Sequence, residues 1–299
     1  MGSGTPVEFA EPITTVLSVP VGGVPHYVEW VSRSRVPGGG ERPVMVFVHG
    51  WGGSARYWRT TAAWLSDRFD CLLYDLRGFG RSPLPDPVPE PRSPVFSMEA
   101  YGADLRSLLD ALGVERAIVN GHSMGASIAA VFAAQYPERL ERLILTCSGI
   151  FEYDRLAFET FYLFGSYVVK VRPKWMAAIP FAPKLFMGRF LHRPLPNADC
   201  LDFLEDFLAA DYAAALGTIY TSVSLEAVKT MPGVFAGLRM PTLLLSGQYD
   251  QIIPAELGRR AAVCNGDRVS YRVLPATGHF PMLEDPATYR ATVNAFLEL

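Results

Sequence analysis

The sequence predicts an α/β protein: a mostly parallel central sheet flanked by helices, with a helical segment inserted after the sixth strand. Three observations predict it. Short, fully apolar runs alternate with stretches of helical period, as strands buried on both faces and their covering helices do. A serine stands between two glycines in Asn120-Gly121-His122-Ser123-Met124-Gly125, where one apolar run gives way to a run of small residues. A long aromatic stretch from Ile150 to about Phe235 interrupts the alternation. With 299 residues, 49% of them hydrophobic, the chain can bury one large core. The formal charge of -3 supplies no field for a polyanion, so nucleic acid is not an expected partner.

Val16 to Val19 and His26 to Trp30 form a predicted hairpin across Val21-Gly22-Gly23, and Gly38-Gly39-Gly40 marks a turn. Buried strands are expected at Val44 to Val48, Cys71 to Tyr74, Ala117 to Val119, Leu143 to Thr146, Thr242 to Leu245 and Val269 to Leu274. Helical patterns fall at Tyr57 to Leu65, Met98 to Leu112, Ala126 to Ala134 and Ala255 to Val263. Ser97 suits a helix cap and Pro254 a first helical turn. Ser82 to Pro94, rich in proline, is expected as an extended surface connection. Within the interruption, Leu201, Leu204, Phe207 and Leu208 face one way, with Asp202, Glu205 and Asp206 facing the other. The expected division is a core of residues 1–149 and 236–299 with an inserted helical unit of residues 150–235.

A sharp turn between Ala117-Ile118-Val119 and the helix from Ala126 forces Ser123 into a strained backbone conformation and holds its Oγ outward. Side chains at positions 121 or 125 would collide with the neighbouring strand or helix, hence the glycines. This Gly-x-Ser-x-Gly turn resembles the nucleophile elbow of the α/β-hydrolase family, and the resemblance extends over essentially the whole chain. A serine hydroxyl needs a general base, and the base needs a group that fixes its tautomer. The resemblance places the base at His279, in Ala276-Thr277-Gly278-His279-Phe280-Pro281 after the last strand. It places the acid at Asp250, in Ser246-Gly247-Gln248-Tyr249-Asp250; Glu152 and Asp154, just past the sixth strand, are the rivals. His49-Gly50-Trp51-Gly52-Gly53 resembles the family's oxyanion loop. Backbone N–H groups of Trp51 and Met124 are the implied oxyanion donors, each worth about 2.7–4 kcal/mol in the transition state. His49 and His122 read as structural or pocket-shaping. Asp75 reads as loop-shaping with Arg77 as partner, while His26 and His192 have no convincing partner.

A serine at the elbow excludes the aspartyl-ester chemistry of the family's dehalogenases and epoxide hydrolases, leaving acyl chemistry. The resemblance implies a serine hydrolase, esterase- or lipase-like, with residues 150–235 as a helical cap. Its alternatives are a carbon–carbon bond hydrolase of ring-cleavage diketones, a cofactor-free perhydrolase, and a small-ligand receptor with little turnover. The aromatic cap favours a small apolar ester as substrate, with His122, Phe151, Phe161, Trp175 and Phe280 expected to line the pocket. Between Glu159 and Asp199 the chain holds Lys170, Arg172, Lys174, Lys184, Arg189 and Arg193 and no acidic residue. That stretch reads either as a solvated cap face or as a surface that rests on anionic membrane. The scattered Cys71, Cys147, Cys200 and Cys264 read as buried free thiols, so neither a metal nor a cofactor is expected. Met1 to Pro12 has neither the basic region nor the apolar core of a signal peptide, and the expected location is the cytoplasm.

Overall fold

The computed structural model describes residues 11–34, 38, 42–152 and 154–299, with the side chains of residues 155, 157, 158, 161 and 164 outside the described set. Among the described residues one sheet has eight strands: β1 (Ile13–Val21), β2 (Val24–Ser32), β3 (Val44–Val48), β4 (Asp70–Tyr74), β5 (Ala117–His122), β6 (Leu140–Thr146), β7 (Thr242–Gly247) and β8 (Val269–Leu274). Their order is β1-β2-β4-β3-β5-β6-β7-β8. β2 runs antiparallel to both β1 and β4, and the remaining pairs are parallel. The hairpin is longer than its apolar residues suggest, because most of edge strand β1 is exposed and hydrophobicity does not mark its ends. Gly22 and Gly23 both have positive φ (57° and 82°), which matches the twist of a two-residue hairpin turn. Of the predicted glycine turn, residues 39 and 40 lie outside the described residues.

The helices are α1 (Arg59–Leu65), α2 (Met98–Ala111), α3 (Met124–Gln135), α4 (Arg155–Lys170), α5 (Ala182–Met187), α6 (Asn197–Ala209), α7 (Tyr212–Ser222), α8 (Leu225–Ala236), α9 (Ala255–Val263), α10 (Pro281–Glu284) and α11 (Pro286–Leu297). Ser97 caps α2, its Oγ accepting the Ala100 N–H at 3.2 Å. Two starts differ from expectation. Pro254 stands one residue before α9, at the cap position. The turn containing Tyr57 is a 3-10 helix, Ala55–Trp58, started by Ser54, and that tighter winding sets Tyr57 apart from the α1 face.

Strand periodicity explains how the sheet fills both layers. On β3, Val44, Val46 and Val48 pack into one buried cluster with α2 and α3, while Met45 and Phe47 point into the other with α1 and α11. Phe47 has no exposed surface, and truncation to alanine at such a position costs about 3–5 kcal/mol. Ala126, Ala129, Ala130 and Ala133 let α3 lie close to the sheet beneath β5 and β6. Helices α4 to α8 are the inserted segment between β6 and β7. α4 packs on α7 and α5 on α6, whereas α7 and α8 also supply Ala213 to Leu216, Ile219, Met231 and Phe235 to the first core layer. Asp206 departs from its expected solvent face on α6: it is buried, and Ser54 Oγ donates to it at 2.6 Å.

Candidate active site

Ser123 is the single residue between β5 and α3, with φ 56° and ψ -122°. Strain of this kind costs on the order of 1–3 kcal/mol and persists only where surrounding contacts enforce it. Here they are close. A Cβ on Gly121 would stand 2.5 Å from the Gly125 carbonyl oxygen, and one on Gly125 would stand 2.4 Å from the Val48 and His49 carbonyls. The Ser123 N–H donates to Thr146 O at 2.9 Å. Beneath the turn, Tyr289 OH lies 3.2 Å from both Asn120 Nδ2 and Thr146 Oγ1, so the strand end is anchored from below.

The hydroxyl meets a base. Ser123 Oγ is 2.9 Å from His279 Nε2, and His279 Nδ1 is 2.7 Å from Asp250 Oδ2. A carboxylate at Nδ1 requires the proton there, which leaves Nε2 to accept from the serine O–H. Asp250 Oδ1 accepts the N–H groups of Ile252 (2.8 Å) and Ile253 (3.0 Å). Burial pushes the Asp250 carboxyl up, but His279 and those two N–H groups outweigh it and hold the carboxyl below its ordinary value. Of the rival acids, Glu152 is exposed and pairs with Arg260, and Asp154 is also exposed. Asp250 alone of the three meets His279.

Gly50 and Trp51 follow β3, and Gly50 lies against the serine: a Cβ there would approach Ser123 Cβ to 3.1 Å. Met124 opens α3, so its N–H has no intrahelical acceptor and sits at the positive end of the helix. In the facing loop the Gly50 N–H donates to Tyr57 OH (2.5 Å) and the Gly53 N–H to Gly50 O (3.3 Å), bonds that do not engage the Trp51 N–H. The Trp51 indole donates to Ala215 O at 2.8 Å and stacks at 5.5 Å from Phe207, tying this loop to α7 and α6.

The two neighbouring histidines are held by their hydrogen bonds. His122 Nε2 is 2.7 Å from the His279 carbonyl, so Nε2 carries the proton. Its bare Nδ1 then accepts from Tyr57 OH at 3.0 Å. Burial, and secondarily His279, keeps His122 well below the usual imidazole value, while burial raises Tyr57 well above its own, so Tyr57 stays protonated and donates. Gly50, Tyr57, His122 and the His279 backbone thus form one chain. His49 Nε2 accepts from the Leu76 N–H (2.9 Å) and Nδ1 donates to Gly50 O (2.8 Å), joining the loops after β3 and β4. His122, Cys147 and His279 place ligand-type atoms within 4.8 Å of one another. Both His122 nitrogens are committed, however, and burial pushes the Cys147 thiol well up, a donor set unsuited to a cation.

Several expectations need correcting. Asp75 pairs not with Arg77 but with Arg81, whose Nε and Nη2 donate to it at 2.6 and 2.7 Å; Arg77 is drawn to Asp104 instead. His192 stacks on Tyr249 with ring centroids 4.1 Å apart. Cys264, at the end of α9, is exposed. Trp175 is 66% exposed, because its short 3-10 helix turns Met176 and Ala177 inward and leaves the indole outside. Phe151 is half-buried beyond β6, and the Phe161 side chain lies outside the described residues. Phe280 and His122 are buried beside His279, with ring centroids 4.7 Å apart. Phe190 and Phe203 complete this aromatic group. Phe190 also accepts the His279 N–H through its carbonyl at 2.7 Å. Glu284, which carries no sequence signal, takes the N–H groups of Gly278, Phe280, His192 and Arg193 and so clamps the His279 loop to the inserted segment.

A family profile described as alpha/beta hydrolase fold matches residues 43–286. An uncharacterized protein of Mycobacterium tuberculosis is 28% identical over 277 residues, spanning 88% of this chain and 77% of its own. The uncharacterized hydrolase YugF of Bacillus subtilis is 26% identical over 300 residues, spanning 96% of this chain and all (100%) of its own. The crystal structure of the enol-lactonase from Burkholderia xenovorans LB400 superposes with a TM-score of 0.75 at 22% identity, covering 95% of this chain and 100% of that one.

Proposed function

The chain belongs to the α/β-hydrolase fold family, and we propose that it is a serine hydrolase cleaving a carboxylic ester with an apolar acyl or alcohol part. The observation that carries this reading is the unbroken line from Ser123 Oγ through His279 to buried Asp250 at a strained elbow. His279 Nε2 takes the serine proton as Oγ attacks the ester carbonyl, and Asp250 stabilises the resulting imidazolium at Nδ1. The carbonyl oxygen becomes an oxyanion facing the N–H groups of Met124 and Trp51, with the α3 dipole behind Met124. His279 then returns its proton to the leaving alcohol, and the acyl group stays on Ser123. Water, deprotonated by the same nitrogen, releases the acid and restores the serine.

Phe190, Phe203 and Phe280 give the surroundings of His279 an apolar character, which favours hydrocarbon over sugar or charged groups. Residues 150–235 act as the cap in this reading. A series of p-nitrophenyl esters of graded chain length, run with Ser123→Ala and fluorophosphonate labelling, tests it. Labelling of Ser123 and ester turnover that Ser123→Ala abolishes are expected. Weak ester turnover beside fast cleavage of a vinylogous diketone would replace ester hydrolysis with carbon–carbon hydrolysis. Absence of labelling in folded protein would favour ligand binding without turnover.

A further inference from the structure

The stretch that lacks acidic residues between Glu159 and Asp199 is divided sharply once folded. Arg172 turns inward, donating to Phe207 O and Val169 O, and Arg193 bridges to Asp285. Lys170, Lys174, Lys184 and Arg189 stay on the exposed side. Large apolar side chains stand out among them. Leu163 is 76% exposed, Tyr167 65%, Trp175 66%, Phe181 68% and Leu185 75%. With Leu156 and Val171, residues 156–185 hold seven of the seventeen exposed large hydrophobic residues among the described residues, in about a tenth of the chain. On α4, Leu156, Glu159, Leu163, Tyr167 and Lys170 follow at intervals of three, four, four and three, so they form a single stripe with one acidic residue near its start.

The exposed stripe is not a by-product of a missing core. The same segment already has a packed apolar side, where Val168, Met176, Ala177, Ile179 and Phe186 lie against Leu204, Phe207 and Leu208. A solvated outer face would carry charges and small polar groups throughout, yet this one carries leucine, tyrosine, tryptophan and phenylalanine beside lysine, with Glu159 as its one acidic residue. Such a mixture is stable where hydrocarbon meets anionic headgroups: the aromatic and leucine side chains enter the acyl boundary and the ammonium groups rest on phosphates. A second copy of the chain is a poorer occupant, since a two-fold contact would bring the same lysine-bearing face from both sides, with no acidic residue between positions 160 and 198 to pair with it. The chain as a whole has a formal charge of -3, so net charge supplies no general attraction to an anionic surface.

We infer that the outer face of residues 156–185 docks onto an anionic lipid bilayer. The chain just past the docking segment also touches the loop that carries His279. α5 presents Lys184 and Leu185 outward and Phe186 inward, and three residues beyond its end Phe190 holds the His279 N–H. Apolar esters dissolved in the bilayer are then brought to the part of the inserted segment that holds Phe190 and Phe203 beside His279 and Phe280. Only that delivery rests on the ester-hydrolase reading; the docking stands on the surface itself.

The test uses the full chain with vesicles of phosphatidylcholine alone or containing about one third phosphatidylglycerol. Trp175 is a built-in reporter, because Trp30 and Trp58 are buried and Trp51 and Trp64 partly so. Expected are co-sedimentation with the anionic vesicles, much weaker sedimentation with neutral ones, reversal by salt, and a blue shift of emission that Trp175→Phe removes. The charge reversals Lys170→Glu, Lys174→Glu and Lys184→Glu together should weaken vesicle affinity at least tenfold while turnover of a short, soluble ester is unchanged. Leu163→Ser with Leu185→Ser should weaken it comparably without changing the far-ultraviolet circular dichroism. Ser123→Ala should bind vesicles like the wild type, so loss of ester hydrolysis and loss of docking remain separable. Failure of the wild type to sediment with anionic vesicles would overturn the inference. So would binding indifferent to both sets of substitutions, or a concentration-dependent dimer that those substitutions dissolve.

Discussion

The loops around Ser123 and the outer face of residues 156–185 handle polar and apolar groups in opposite ways. Near the serine, Asp250, His49, His122 and His279 are buried, and hydrogen bonds fix the tautomer of each histidine. Along α4 and α5, leucine and aromatic side chains stand in solvent beside lysine. Buried polar groups are costly unless fully paired, so the first arrangement tolerates almost no displacement. Exposed apolar groups cost little to move, and the second arrangement leaves a surface able to adapt to a partner that is itself fluid. Rigidity is concentrated around the 2.9 Å contact of Ser123 with His279, and adaptability along the exposed face of α4 and α5.

The widest separation between the two regions should come from Ser123→Ala. Ester turnover is expected to fall by about 10⁴- to 10⁶-fold, as removal of an activated nucleophile does, with the thermal midpoint nearly unchanged. Steady-state kinetics beside a melting curve measures both, and residual turnover within tenfold of wild type would remove the serine from the chemistry. Asp250→Asn comes next. The amide leaves the shape intact but no longer requires the proton at Nδ1, so kcat should drop by about 10⁴-fold with KM little altered. A comparable loss from Glu152→Gln, with Asp250→Asn near wild type, would reassign the acid.

The legibility of the sequence follows the same boundary. The buried strands and the elbow could be read because each imposes a local pattern, an apolar run or a glycine pair, whereas the positions of acid and base rested on the family resemblance; the structure brings Ser123, His279 and Asp250 together. Edge strand β1 was under-read, since exposed alternation marks no ends. Tyr57 looked like part of α1, and only the 3-10 turn shows that it reaches Gly50 and His122. Glu284 and Phe190 were invisible, because four N–H groups converging on one carboxylate is a property of the assembled loops. In the inserted segment the aromatic content was plain, but which ring faces inward was not. Trp175 and Phe186 look alike in sequence and take opposite sides.

Tyr57→Phe probes how far the rigid region depends on a residue that touches neither Ser123 nor the imidazole of His279. Loss of the hydroxyl strands the Gly50 N–H and His122 Nδ1, at about 1–3 kcal/mol for each buried group left unpaired. The loop bearing the Trp51 N–H then loosens, and kcat should fall by about ten- to a hundredfold, the range expected of sub-ångström to ångström misplacement. KM for a short ester should move much less. A variant with full kcat and reduced stability would show that Tyr57 supports the fold alone.

The smallest effect lies at the joint between the regions, where two buried carboxyls are shifted in opposite directions. Asp250 is held below its ordinary value, so the stability it contributes is present above about pH 4 and lost only as pH falls through its lower folded value. Asp206, on α6 against Ser54, is pushed from 3.8 up to about 6, chiefly by burial, with Ser54 and Arg56 opposing. It therefore binds its proton more tightly in the folded chain. Its stabilising contribution is complete below pH 3.8 and lost as pH rises through about 6. The difference amounts to on the order of 3 kcal/mol. Asp206→Asn keeps an oxygen for the Ser54 hydroxyl but cannot ionise. Denaturant unfolding of both proteins at a series of pH values between 4 and 7 should show wild type losing stability relative to the variant as pH rises from about 4 to about 6, with little further change above. Parallel curves would mean that the joint between α6 and the loop after β3 is wet enough to ionise Asp206 normally, and that the rigid region ends before it reaches the inserted helices.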